Sequence, residues 1–528
     1  MKNKRKFVLW TFLFVLVNVH IARAQSTSTL TERIQRVIGR PEFAHANFGI
    51  EFYSLDSGKI IYALNPEKLF VPASTTKLLT EGTLLAKLGA DYRFHTRIYR
   101  TGPIDSKGKL KGDLILVASG DPNLSNRLQP DGTLAFVDED HSYNGPALPG
   151  DPLAVIKELA GKISAKGIKR IDGRLLIDAS LLPDGPREGG TDVVMSSIMV
   201  NDNVIDLVVR PGVKSGDATI LEYSPHTSYV NFVNHVTTGA RDSKPNLESP
   251  EVESNEDGSI VVTLTGSLPP GIAPQTAAFA VPSPTTFATT VLREALVASG
   301  VQFKFKKGAA TRPPDFVAYS KLYVPENLVA EHVSAPLSEE IKVTLKVSQN
   351  LHAGMGPYLL GTLVAKDTKN PLAAGFRVER EFLQSANLDL SGASQGDGAG
   401  GDWADLFSPD FMVHYLTYWT TRDYQVFLRA LPVLGKDGTL ATIQKDSAGA
   451  GHVFAKTGTF ASEDKLNGKG MLNAKGLAGY ITTKSGERLV FAAYVNHVAL
   501  PDDPEAAQRL GGQALGEIAG AAYDADLK

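Results

Sequence analysis

Cysteine is missing from all 528 residues. Its absence excludes disulfides, thiolate zinc sites, iron–sulfur clusters and a cysteine nucleophile. An excess of one charge sign is missing too: 54 Lys+Arg stand against 57 Asp+Glu, a formal net of −3. Nucleic-acid binders usually carry a basic excess, so no nucleic-acid partner is expected. The 11 histidines are scattered and form no H-E-x-x-H pair. With no phosphate loop or nucleotide fingerprint either, neither a metal nor a cofactor is expected. After Val19 no apolar run is long enough to span a bilayer. What is present is a globular composition, 43% hydrophobic and 21% charged, long enough to bury a large core.

The first 24 residues read as an export signal. Lys2, Lys4, Arg5 and Lys6 precede the apolar run Phe7–Val19, and Ala22-Arg23-Ala24 offers the small-x-small cleavage pattern. Cleavage after Ala24 removes five basic residues (Arg23 is the fifth) and leaves 49 against 57 acidic ones, a net of −8. An exported chain without cysteine suits a bacterial periplasm or cell envelope.

Along the remainder, Leu30–Ile38 has helical spacing and stops at Gly39. Phe48–Ser54 and Lys59–Leu64 flank Asp56-Ser57-Gly58 as a hairpin. A helix is expected from about Ser74 to Leu88. From about residue 91 short strands alternate with Gly/Pro/Asp turns, interrupted by one amphipathic helix near Pro152–Lys166. Helical period returns over Pro284–Ser299 and Ser338–His352. Strands at His452–Thr457, Gly476–Thr483 and Arg488–Asn496 close the chain, followed by a helix that Asp503-Pro504-Glu505 would open. The expected division is a signal at 1–24, a first catalytic segment at 25–90, β-rich inserted modules, two of them nested, at 91–280, and a second catalytic segment at 281–528.

Three short segments carry chemistry. In Ser74-Thr75-Thr76-Lys77 the i, i+3 spacing puts Lys77 on the face of Ser74 at a helix start. A serine hydroxyl needs an adjacent base to become a nucleophile, and a desolvated lysine can be that base. In Ser348-Gln349-Asn350, Ser348 can relay a proton to a leaving amine and Asn350 can hold a substrate amide. In Lys456-Thr457-Gly458-Thr459, Lys456 supplies a cation and Thr457 and Thr459 supply hydroxyls for a substrate carboxylate. Gly458 lets a substrate backbone lie against the strand. The backbone N–H groups of Ser74 and Thr459 would form an oxyanion hole. Each triplet alone is weak. Ser106…Lys109 and Ser462…Lys465 repeat the first, Ser142-Tyr143-Asn144 the second, and Lys214-Ser215-Gly216 and Lys484-Ser485-Gly486 the third, all in turns or loops.

In this order, S-x-x-K, S-x-N and K-T-G resemble the serine penicillin-recognising enzymes. The 274 positions from Ser74 to Ser348 are too many for a compact β-lactamase. They resemble the D-Ala-D-Ala carboxypeptidase/endopeptidase family, low-molecular-mass penicillin-binding proteins with large inserted domains. Gly120-Asp121-Pro122-Asn123-Leu124, Pro336-Leu337-Ser338, Gly435–Leu440 and Leu477-Ala478-Gly479-Tyr480 fit the same family. The resemblance implies an α+β fold, a five-stranded antiparallel sheet flanked by helices, split after the first catalytic helix by β-rich insertions. It implies hydrolysis of D-Ala-D-Ala termini or D-amino-acid cross-links of peptidoglycan through an acyl-Ser74 intermediate, with β-lactams as covalent inhibitors. Two departures stand out: Asp397-Gly398-Ala399-Gly400 lacks the family serine at 399, and Gln349 occupies the middle of the second motif. A β-lactamase or esterase on the same scaffold, and a silent peptidoglycan-binding protein, remain the alternatives. His352 is expected beside the cleft rather than in it. Asp402, Asp405 and Asp410 read as a solvated loop, with Trp403 and Phe407 either packed or touching substrate.

Overall fold

The run Leu489-Val490-Phe491-Ala492-Ala493-Tyr494-Val495 contains no charged residue, and a strand apolar on both faces must be covered on both. A computed structural model, which describes residues 28–304, 313–501 and 506–527, shows how this is met. The expected export signal and the Asp503-Pro504-Glu505 cap lie outside the described residues.

The run lies in the central strand of a five-stranded antiparallel sheet. We number its strands β1 (Asn47–Ser54), β2 (Lys59–Leu64), β3 (Val453–Asp464), β4 (Lys469–Thr482) and β5 (Arg488–Ala499). Their spatial order is β2-β1-β5-β4-β3, so strands from both ends of the chain share one sheet. Successive residues of β5 serve opposite faces. Leu489, Phe491, Ala493 and Val495 enter a core with Leu30, Ile34 and Val37 of the helix Leu30–Ile38 and with Ile518 of the helix Gln513–Ala521. Val490, Ala492 and Tyr494 enter a second core with Leu78, Leu79 and Leu85 of the helix Lys77–Leu88 and with Met412 and Leu416 of the helix Pro409–Trp419. Phe52 stacks on Phe491 at 5.3 Å between centroids. Each such fully buried ring contributes about 1.5–3 kcal/mol. The helix Leu30–Ile38 starts on a reciprocal cap between Thr29 and Glu32.

The polar, Gly-rich run 462–476 after the third motif, which by composition could be a loop beside the site, is a hairpin extension of the sheet. Strands β3 and β4 stay paired, past a bulge between Phe460 and Ala461, to Asp464 and Lys469, leaving residues 465–468 as the turn.

Between the catalytic segments lies the β-rich region. Leu114–Val117 and Leu175–Asp178 pair in parallel. A parallel pair needs a crossover, and the helix Ala154–Ala165 lies between the two strands in sequence. One apolar core joins these strands (Leu116, Ile177) to Ile205 and Leu207 of Val204–Arg210 and Val262 of Ile260–Leu264. Phe287, Val291 and Leu292 of the helix Pro284–Ala298 belong to the same core. The strand Leu328–Val333 pairs with His95–Arg100. These contacts lead us to propose an insertion of about 91–334, extending beyond the expected end at 280. Among the described residues, no helix is long and apolar enough to cross a membrane.

Candidate active site

The first motif begins in a strained turn. Ala73 is fully buried with φ +46°, a conformation that costs a non-glycine residue about 1–2 kcal/mol. A one-turn 3-10 helix, Ala73–Thr76, then feeds the helix Lys77–Leu88. Residues 72–79 are all buried except Ser74, which keeps partial access to solvent. The neighbouring loop holds this turn closely. A Cβ on Gly400 (φ +92°) would sit 2.0 Å from the Ala73 carbonyl oxygen, so only glycine fits there.

Lys77 is completely buried. Its Nζ lies 2.7 Å from Ser74 Oγ, 2.6 Å from Asn350 Oδ1 and 2.8 Å from the Ala399 carbonyl oxygen. A neutral amine has two N–H bonds and one lone pair. With Asn350 and Ala399 each accepting one N–H, the lone pair is directed at the serine hydroxyl. Burial pulls the lysine down to about 8, against the opposing pull of the Glu188, Asp397, Glu81 and Asp405 carboxylates. A base needs the neutral form, so acylation by a neutral ester substrate should speed up as pH rises and level off above about 8. Stopped-flow acylation rates between about pH 6 and pH 9 check this, and a flat profile would contradict it.

The departure at position 399 loses little. Ala399 acts through its backbone carbonyl, which any residue supplies. Asp397 shapes that loop by accepting the N–H groups of Ala399, Gly400 and Gly401 at 2.8, 2.6 and 3.0 Å. Behind it, Asp405 is buried, not solvated, and burial beside Asp397 pushes its carboxyl up to about 8. Asp402 is exposed and Asp410 half-buried. Phe407 is packed in the core, and exposed Trp403 lies edge-on to Phe460.

The expected helix Ser338–His352 is broken at the second motif. It divides into Leu337–Lys346 and Asn350–Leu359, with Ser348 at φ +63° between them. Ser348 therefore leaves the helical path and points its Oγ at Lys456 Nζ, 2.8 Å away. The inserted region holds this turn. Tyr143 donates its hydroxyl to the Ser348 carbonyl at 2.6 Å. Gln349 donates to Asp140 Oδ1 at 3.1 Å and to Ser142 Oγ at 3.0 Å. Ser142-Tyr143-Asn144, a chance repeat by sequence, thus lies against the motif it imitates, and Gln349 is the residue that docks it. Asp140 in turn pairs with buried Arg127 at 2.6 Å, which also reaches Asp202 at 2.7 Å. His141 bridges Asp202 and Asp206, both at 2.7 Å. His352 is buried between Asp202 and Glu340, at 3.0 and 2.9 Å, and does not line the cleft. Despite its burial, these carboxylates lift His352 to about 10. Asp140, His141 and Asp202 are near enough to one another to hold a metal. The Arg127 guanidinium already bonds Asp140 Oδ2 and Asp202 Oδ2, and the His141 ring bonds Asp202 Oδ2 as well, so the cation position is filled by side chains.

The third motif lies on β3, the outer strand of the sheet. A Cβ on Gly458 would fall 2.4 Å from the Pro72 carbonyl oxygen and 3.1 Å from Ser74 N, so glycine brings the strand against the nucleophile turn. Lys456 is completely buried, its Nζ donating to Ser348 Oγ and to the Thr457 carbonyl, both at 2.8 Å. Burial and the Lys77 and Lys475 charges hold it well below the usual lysine range. Thr457 donates to Thr439 at 2.7 Å, and Thr459 is exposed. The structure thus forms two contact groups, Ser74–Lys77–Asn350 and Ser348–Lys456, joined through the second motif, with Thr457, Gly458 and Thr459 on the strand beside them. The sequence did not single out Tyr143, Glu188 or Lys475. Only the Ser-Tyr-Asn triplet gave a signal for one of them.

The D-Ala-D-Ala carboxypeptidase 3 (S13) family matches residues 30–514 of this chain. A D-alanyl-D-alanine carboxypeptidase from Actinomadura sp. (strain R39) is 27% identical over 512 residues, covering 93% of this chain and 85% of the relative. The crystal structure of penicillin binding protein 4 from Haemophilus influenzae superposes with a TM-score of 0.69 at 19% identity, covering 92% of this chain and 97% of that one. The same protein complexed with a β-lactam gives 0.68 at 20% identity, covering 92% and 98%.

Proposed function

This chain belongs to the D-Ala-D-Ala carboxypeptidase 3 (S13) family, and from that premise we propose that it is a serine-type DD-peptidase of the cell envelope, exported by its first 24 residues, acting on peptidoglycan peptides. The observation that carries the reading is the Lys77 geometry: a buried amine 2.7 Å from a serine hydroxyl, with its other two contacts taken by acceptors.

In the proposed reaction, neutral Lys77 takes the Ser74 proton as Oγ attacks the carbonyl carbon of the penultimate D-Ala. The N–H groups of Ser74 and Thr459 hold the oxyanion, and Asn350 positions the substrate amide. The C–N bond breaks, and the proton taken by Lys77 is balanced by one delivered to the leaving amine through Ser348, which Lys456 supports. Water then attacks the acyl-Ser74 ester, giving back its proton to the site and releasing the shortened peptide. The terminal carboxylate meets the hydroxyl of Thr459 and that of Thr457, which turns its hydrogen from Thr439 to the substrate. Lys456, sealed behind the strand, supports the Ser348 relay and makes no direct contact with the carboxylate. β-Lactams present the same carbonyl and acylate the same oxygen, as the β-lactam complex of the H. influenzae protein accords with.

Mass spectrometry of peptidoglycan fragments after digestion tests this. Loss of one alanine from pentapeptide stems is the expected product, and monomers released from cross-linked dimers would add endopeptidase activity. Fragments left intact at both bonds would contradict the reading.

A further inference from the structure

Beside the third motif lies a second buried cation that the reaction above does not use. Lys475 on β4 stands directly opposite Thr459 on β3, the two side chains on one face of the sheet. Lys475 is buried, and its Nζ lies 2.6 Å from Thr459 Oγ1. Its stem has little room to retreat: a Cβ on Gly511 would fall 3.2 Å from both its Cβ and its Cγ. Burial alone pulls its ammonium down to about 8, so it keeps its proton at neutral pH.

The geometry fixes the direction of one hydrogen bond. An ammonium can only donate, so Thr459 Oγ1 must accept from Lys475. With that lone pair occupied, the Thr459 hydroxyl hydrogen is free to be given outward, and Thr459 is the exposed member of the motif. A hydroxyl that accepts from a cation is also a stronger donor, since successive hydrogen bonds polarise one another.

We propose that Lys475 is a specificity-determining positioning residue: it sets the Thr459 hydroxyl as a donor and places positive charge behind it, so that the site selects a substrate ending in a free carboxylate. The proposal rests on the serine-peptidase reading and goes beyond it by assigning carboxylate selection to a residue outside the three motifs. Lys475 acts through Thr459, whereas Lys456 is committed to Ser348.

The test compares an acyl-D-Ala-D-Ala peptide with the same peptide ending in D-alaninamide, and with an activated ester whose leaving group is neutral. Lys475→Met should lower kcat/KM for the acid about 10- to 100-fold, chiefly through KM, the loss expected for a hydrogen bond reinforced by charge. The amide and the ester should change less than about threefold. In a Thr459→Val background the lysine substitution should add almost nothing, because the hydroxyl it orients is gone. If the methionine variant does not fold, Lys475→Gln removes the charge while keeping an N–H donor, and the same substrate comparison applies. Equal losses on acid, amide and ester, or additive effects of the two substitutions, would overturn the proposal. Failure of the wild-type protein to turn over even the neutral ester would count instead against the serine-peptidase reading.

Discussion

Ser74→Ala is expected to lower peptide hydrolysis about 10⁴-fold or more and to abolish covalent labelling by a fluorescent penicillin. The magnitude follows from what one oxygen atom does. Loss of a nucleophile removes the covalent route and leaves only binding and oxyanion stabilisation, and such deletions cost up to about 10⁶-fold in kcat. The fold should tolerate the change. Ser74 is partly exposed, and its hydroxyl partner Lys77 keeps two other acceptors. An unchanged melting temperature with lost labelling is therefore the expected pair of results. Persistent labelling in the variant would remove Ser74 from its assigned role.

The second large effect is expected at Lys77. Lys77→Ala should slow acylation by about 10²–10⁴-fold, the range for a positioned general base, while ground-state binding of substrate changes far less. The expectation depends on location. Lys77 is completely buried behind Ser74 and so offers substrate no accessible surface of its own. Its removal leaves Asn350 Oδ1 and the Ala399 carbonyl without this donor, at about 1–3 kcal/mol for each buried acceptor. Some thermal destabilisation should accompany the kinetic loss. Rapid-mixing kinetics with a chromogenic β-lactam separate the two steps. A selective rise in the dissociation constant with an unchanged acylation rate would contradict the base assignment.

The parts of this molecule that were legible in the sequence are those with local signatures. Thr29 and Gly39 bound the first helix at its expected ends. The hairpin from Asn47 to Leu64 follows from Asp56-Ser57-Gly58 between two β-rich runs. The three motifs could be recognised by their order, and the structure brings their side chains together. Long-range contacts had no such signature. Tyr143 meets Ser348 across 205 positions, and nothing near either residue announces the partner. The break at Ser348 was hidden because the apolar period runs on through it, while the strain there is met by the docked insertion. The contribution of Ala399 is a backbone carbonyl, which leaves no trace in residue type. Lys475 became visible only through the register of β4 on β3. The helix Pro284–Ala298, which we place with the insertion, has the same amphipathic pattern whichever core it enters.

The insertion is therefore more than a decoration on the catalytic fold. Glu188, from the insertion, is the strongest of the charges that keep Lys77 from losing its proton more readily. Gln349, an unusual residue for the second motif, finds its explanation in Asp140 and Ser142. Such buried polar links are costly to break singly, because each orphaned group keeps its desolvation cost. They tie the geometry of Ser348 to the insertion as closely as to its own helices.

The central claim, a covalent intermediate on Ser74, is tested most directly by intact-protein and peptide mass spectrometry after exposure to benzylpenicillin. The account predicts one added penicilloyl group per chain, carried by the peptide containing Ser74. No adduct, or an adduct on a peptide without Ser74, would contradict it.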